Sequence, residues 1–191
     1  MIIQKFDRCN KGVLVRFFSI ISIVYLLILG INIGSIIACG AFSAPVIFHT
    51  DTLLPELGMT KFDMGIVMTK IFLKLNTLLN VTAIIIIIYE LSSFNFKRKK
   101  DFFALVIGAI NIILIFIFTL GYTRSIIEAQ SQGAAATATP EFYSIHHQSE
   151  IVFQFLFISL SIGFIWNAIQ LYKNQNYCLE KSLHNKHQGK K

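Results

Sequence analysis

Four side chains in this chain have the chemistry and the placement to hold a metal ion. His146 and His147 precede Glu150 by four and three residues, and His49 stands two apolar segments upstream. His147, Glu150, Gln154 and Ser161 recur at helical spacing, so a helix carries them on one face. Imidazole is a borderline ligand that suits Zn, Cu or Fe, carboxylates can complete such a site, and paired imidazoles also ligate haem iron. His147 and Glu150 make H-x-x-E, but Ile151 stands where H-x-x-E-H needs its second His, so no closed ligand motif exists. The expectation is a divalent-ion site at His49, His146, His147 and Glu150, with haem a poorer fit. The plainer alternative is a set of interfacial histidines that cap a helix and bond to a loop.

A second set of polar side chains sits inside an apolar run. Lys70 and Lys74 are one helical turn apart and share a face with Asp63, Val67 and Thr77, and Thr69, Asn76 and Asn80 line up beside them. Polar groups in a membrane span are costly and turn inward, so this surface is expected to face the bundle interior as an anion, headgroup or proton site. Snorkelling is the rival reading. Lys70 lies roughly 10 Å of helix rise from the start of its span and Lys74 about 6 Å deeper. A third feature is Gly30-Ile31-Asn32-Ile33-Gly34, a G-x-x-x-G extended by Ala38. Small residues at that spacing let helices approach closely, within the chain by default and in a homodimer through the first span as the alternative.

These residues must be positioned by membrane helices. Of the 191 residues, 54% are hydrophobic, 18 are Phe and only 14% are charged. A helix needs roughly 20 apolar residues to cross the hydrocarbon core. Four runs reach that length, at about 17–48, 64–93, 102–122 and 151–172. Backbone groups in lipid must be paired internally, so the expected fold class is all-α, one integral-membrane four-helix bundle. Trp166, Tyr172, Tyr89 and Tyr122 near the run ends suit an interfacial belt. Pro45 is expected to bend or end the first helix.

The basic residues give the bundle a direction. Thirteen of the 17 Lys and Arg fall in three places: Lys5 to Arg16, Lys97 to Lys100, and the tail from Lys173 to Lys191. Only Lys61 and Arg124 lie in the other connections. Cytoplasmic loops carry the excess of Lys and Arg, so both termini and the 173–191 tail are expected in the cytoplasm. The net charge of +7 flanks apolar segments and forms no stripe on a soluble domain, which argues for lipid and against nucleic acid.

The connection from Thr123 to Ser149 reads as an outer loop whose small, polar stretch from Ser131 to Pro140 is expected to be mobile. Ile36-Ile37-Ala38-Cys39-Gly40 resembles a lipoprotein cleavage box, but the apolar run before it is too long for a cleavable signal. Three cysteines form no disulfide framework. No nucleotide loop, G-x-S-x-G, H-E-x-x-H or C-x-x-C occurs, so no catalytic residue is assigned.

Three short elements carry a family resemblance. Gly40 to Phe48 looks like the opening motif of a bacterial membrane family described as domain of unknown function 4149. Gly65 to Phe72 is similar to that family's next element, and Phe142 to Ser149 resembles its aromatic-x-x-x-His-x-x-Ser entry to the last span, matching His146 with Ser149. The family resembles transmembrane protein 205 and, more distantly, the copper-resistance D proteins, some of whose relatives use membrane histidines for metal or haem. The resemblance implies a bacterial inner-membrane location and brings no established activity. Three readings follow: a non-enzymatic inner-membrane protein acting in envelope or metal homeostasis, a metal- or haem-binding oxidoreductase-like protein, and a small transporter or channel subunit using Lys70 and Lys74.

Overall fold

A computed structural model describes the backbone of residues 2–96 and 102–188 and the side chains of residues 19–93 and 102–173. Apart from Lys173, the basic stretches that set the expected orientation lie outside the described side chains, as do Cys9, Cys178, His184 and His187.

The described chain is helical, with no strand. Helix α1 (Ile2–Ile37) passes through a π-helical turn (Ala38–Ser43) into α2 (Ala44–Phe48), followed by α3 (Thr50–Leu53) and a 3₁₀ turn (Pro55–Leu57). Helix α4 (Lys61–Phe96) leads to α5 (Phe102–Phe116), which runs through a second π-helical turn (Ile117–Tyr122) into α6 (Thr123–Ser131). A short α7 (Ala134–Thr137) precedes the long α8 (Pro140–Gln188). Four segments are long and apolar enough to cross a membrane: Ser19–Phe48, Lys61–Ser93, Phe102–Ser131 and Pro140–Lys173. They contain 30, 33, 30 and 34 residues, well beyond the roughly 20 that a span requires.

Three boundaries differ from the sequence expectation. Pro45 does not break the first helix. It sits near the start of α2, where its fixed φ is tolerated, and the wider π-turn before it keeps the chain hydrogen-bonded: the Ala44 N–H donates to the Cys39 carbonyl. The fourth helix starts at Pro140 and not near Ile151, because Thr139 is an N-cap whose hydroxyl accepts from the Phe142 N–H at 3.2 Å. The expected loop from Thr123 to Ser149 is mostly α6, α7 and the first turns of α8, and its Ser131–Pro140 stretch holds α7 between two turns. The start of α4 is closed by a capping box. Asp63 Oδ2 accepts from the Thr60 N–H at 2.9 Å, and the Thr60 hydroxyl accepts from the Asp63 N–H at 3.2 Å.

The four long helices form a ring in which α1 packs on α4 and α8, and α5 closes the ring between α4 and α8. Leu29, Leu79, Ile86, Ile115, Leu156 and Leu160 are fully buried in its core. Both π-turns meet Phe153 of α8. Phe118 stacks on it with ring centroids 5.0 Å apart, and a Cβ placed on Gly40 would lie 3.3 Å from its ring. Tyr89 is not part of an interfacial belt. It is buried and stacked on Tyr25 with centroids 3.8 Å apart. Burial of two large rings outweighs the interfacial preference of one phenol, whose hydroxyl lies 3.0 Å from the Ser22 hydroxyl.

Candidate functional site

Helical periodicity splits the two polar lines of α4 onto different faces. Asn76 is buried and its Nδ2 donates to Thr123 Oγ1 at 2.9 Å. Asn80 accepts from the Thr119 hydroxyl at 2.9 Å, and Thr69 Oγ1 accepts from Gln130 Nε2 at 2.9 Å. These rungs tie α4 to the α5–α6 segment, as interhelical polar groups do where apolar attraction is weak. Asn32 adds a rung to the first helix, donating to Thr82 Oγ1 at 2.8 Å.

Lys70 and Lys74 lie on the other face, and both are exposed. The expectation that they point into the bundle is corrected. The rungs at Thr69, Asn76 and Asn80 fix the inward face of α4, and the 100° step per residue turns the lysines outward. Neither forms an ion pair among the described residues. Asp63 is held in its capping box, and Asp51 pairs with Lys61 at 3.0 Å. The rungs also fix a level. Lys70 and Lys74 fall between Thr69 and Asn76, and Arg124 and Glu128 fall between Thr123 and Gln130, so four exposed charges occupy one band across α4 and α6.

The histidine set is only partly assembled. On α8, His146 Nε2 lies 3.3 Å and His147 Nδ1 3.7 Å from the Glu150 carboxylate. His146 stacks on Phe142 with its Nδ1 buried, and it sits within the helix, not at its cap. His49 does not join them. Its Nδ1–H donates to the Pro45 carbonyl at 2.7 Å, one turn back in its own helix. Among the described residues no group of three His, Cys, Asp or Glu side chains is arranged to hold a metal ion. A metal bound there would have to displace the contacts these side chains already make with one another.

The glycine motif divides as well. A Cβ on Gly30 would lie 3.7 Å from Phe164, so Gly30 serves packing of α1 on α8. Gly34 and Ala38 are exposed, and Gly34 has open space beside it.

The sequence reading does not single out Glu90, which stands three residues from the end of its run at Ser93, where a carboxylate would reach water. In the structure it is only 9% exposed. A Cβ on Gly108 would lie 3.0 Å from its Cγ, and the phenols of Tyr25 and Tyr89 lie within electrostatic reach. The available signal was a carboxylate inside an apolar helix, which is rare unless it faces the bundle.

The family pattern described as a domain of unknown function, DUF4149, matches residues 27–135, more than half of the chain. That segment includes the Gly40–Phe48 and Gly65–Phe72 elements, and Phe142–Ser149 lies beyond it. No curated protein and no solved structure matches the chain.

Proposed function

The chain belongs to the DUF4149 family, and we propose that it is a non-enzymatic binding protein of the bacterial inner membrane that serves the envelope through its membrane-facing surface. One observation carries this reading. Four interhelical hydrogen bonds engage polar side chains of α4 with its neighbours, at Asn32–Thr82, Asn76–Thr123, Asn80–Thr119 and Thr69–Gln130. The two lysines that could recruit a ligand face outward. A transport path through Lys70 and Lys74 would run outside the bundle. The distribution of basic residues supports cytoplasmic termini. Reporter fusions near Gly133 would then read external and fusions at Lys191 cytoplasmic, and an external C-terminus would overturn that orientation.

A role in metal homeostasis has one supporting observation, the approach of His146 and His147 to Glu150. Untagged protein, purified and reconstituted, separates the readings. A binding protein of the kind proposed shows no haem absorbance, well under one equivalent of transition metal, and no ion flux above that of empty liposomes. A haem band, about one equivalent of Zn, Cu or Fe per chain, or specific flux would each refute it.

A further inference from the structure

We propose that the surface formed by α4 and the end of the first span binds an anionic glycerophospholipid, with its phosphate at Lys70 and Lys74 and the adjoining part of an acyl chain in a groove beside them. The inference rests on the reading that the protein works by binding through its membrane-facing surface.

The band of charges sets the depth. From Asn76 to Phe96 is 21 residues of α4, roughly 31 Å of rise, which matches the roughly 30 Å hydrocarbon core. Lys70, Lys74, Arg124 and Glu128 then lie together at the headgroup level on the side of the 49–60 connection. An ammonium there meets lipid phosphate, whereas one deeper would not.

Direction and charge point to the same ligand. Side chains of a helix tilt toward its N-terminus, and α4 begins on that same side at Lys61. Both lysine heads are therefore carried toward the phosphates of one leaflet. They are one turn apart on one face and have no acidic partner among the described residues. Two neighbouring unpaired cations at a lipid surface attract anionic headgroups.

A groove lies next to them. Phe42, Ser43, Val46, Ile47 and Ile71 line a shallow, open recess of about 340 Å³ between the π-turn, α2 and α4. Ile71 follows Lys70 directly and precedes Lys74 by three residues, so groove and charges adjoin. The one hydroxyl in the lining, Ser43 Oγ, is already used: it donates to the Ala38 carbonyl at 3.0 Å. What is left suits hydrocarbon. The recess lies level with the two lysines, so it would take the carbons next to the glycerol, with the rest of the acyl chain passing into the bilayer.

A second copy of this chain is the competing occupant, offering Glu128 as counter-charge. The face that carries Glu128 also carries Arg124 one turn earlier, so it is neutral, and a phosphate complements two lysines better.

The test uses full-length protein in nanodiscs of phosphatidylcholine with and without phosphatidylglycerol, read by native mass spectrometry after gentle delipidation. Wild-type protein should retain phosphatidylglycerol over phosphatidylcholine. Lys70→Gln/Lys74→Gln should lose that preference by about tenfold or more, Lys70→Arg/Lys74→Arg should keep it, and Arg124→Gln should change it little. Val46→Trp, which fills the groove, should reduce retention of both lipids. Equal retention by the Gln double variant overturns the proposal, as does a dimer cross-linked between Lys74 and Glu128. The Arg variant guards against misfolding as the cause of loss. Metal content and liposome flux are read separately, so a failure of the broader binding-protein reading would appear there and not in lipid retention.

Discussion

Asn32 Nδ2 donates to Thr82 Oγ1 at 2.8 Å across the first two spans, and both residues are fully buried. Thr82 in turn donates to the Leu78 carbonyl at 2.9 Å. The rung therefore joins the backbone of α4 to a side chain of α1. The coupling across it should be about 0.6 kcal/mol and at most about 1.7 kcal/mol, the average and maximum found for interhelical hydrogen bonds in membranes. Asn32→Leu and Thr82→Val, alone and together in a detergent unfolding assay, should show a non-additive coupling of that size. Strict additivity would mean the rung contributes nothing.

Gly108 of α5 packs closely against Glu90 of α4. A Cβ at position 108 would stand 3.0 Å from Glu90 Cγ and 3.4 Å from Ile86 Cγ2. Gly108→Ala should therefore destabilise the protein by about 1–3 kcal/mol through overpacking. Glu90→Ala in the same chain should recover part of the loss. A Gly108→Ala protein as stable as the wild type would show that α4 and α5 can separate at no cost.

The capping box at Thr60 and Asp63 should matter more than its exposed position suggests. Thr60→Ala removes the hydroxyl that accepts from the Asp63 N–H and should cost about 0.5–2 kcal/mol. Hydrogen exchange should rise over the first turns of α4 and stay unchanged in α8. Uniform exchange along both helices would contradict the assignment.

Acid should release the connection between the first two spans. The Lys61 ammonium bonded to Asp51 holds that carboxyl below the usual carboxylate range. A group with a depressed folded pKa stabilises above its unfolded pKa and loses that stabilisation as pH falls through the folded value. Amide protection in residues 50–60, corrected for the intrinsic pH dependence of exchange, should thus be flat near neutrality and fall only below the ordinary Asp range. Both partners are well exposed, so the effect should be small and weakened by salt. Lys61→Gln should remove the pH dependence.

The sequence by itself determined the class, the number of spans and the presence of two adjacent polar lines on α4. Apolar length and helical periodicity are local properties that survive any arrangement of neighbours. It also contained a signal for the start of α8, since Thr139 suits an N-cap and Pro140 the first helical position. The tertiary structure decided which of two adjacent polar lines faces inward. Lys70 and Thr69 differ by 100° on one helix, and only the partners Gln130 and Thr123 on α6 fix which side is buried. It decided that His49 does not join His146 and His147, whose approach to Glu150 is local to α8. It also brought Glu90 out of an unremarked span end into the bundle, since burial there depends on Gly108 of α5 lying close enough to cover it.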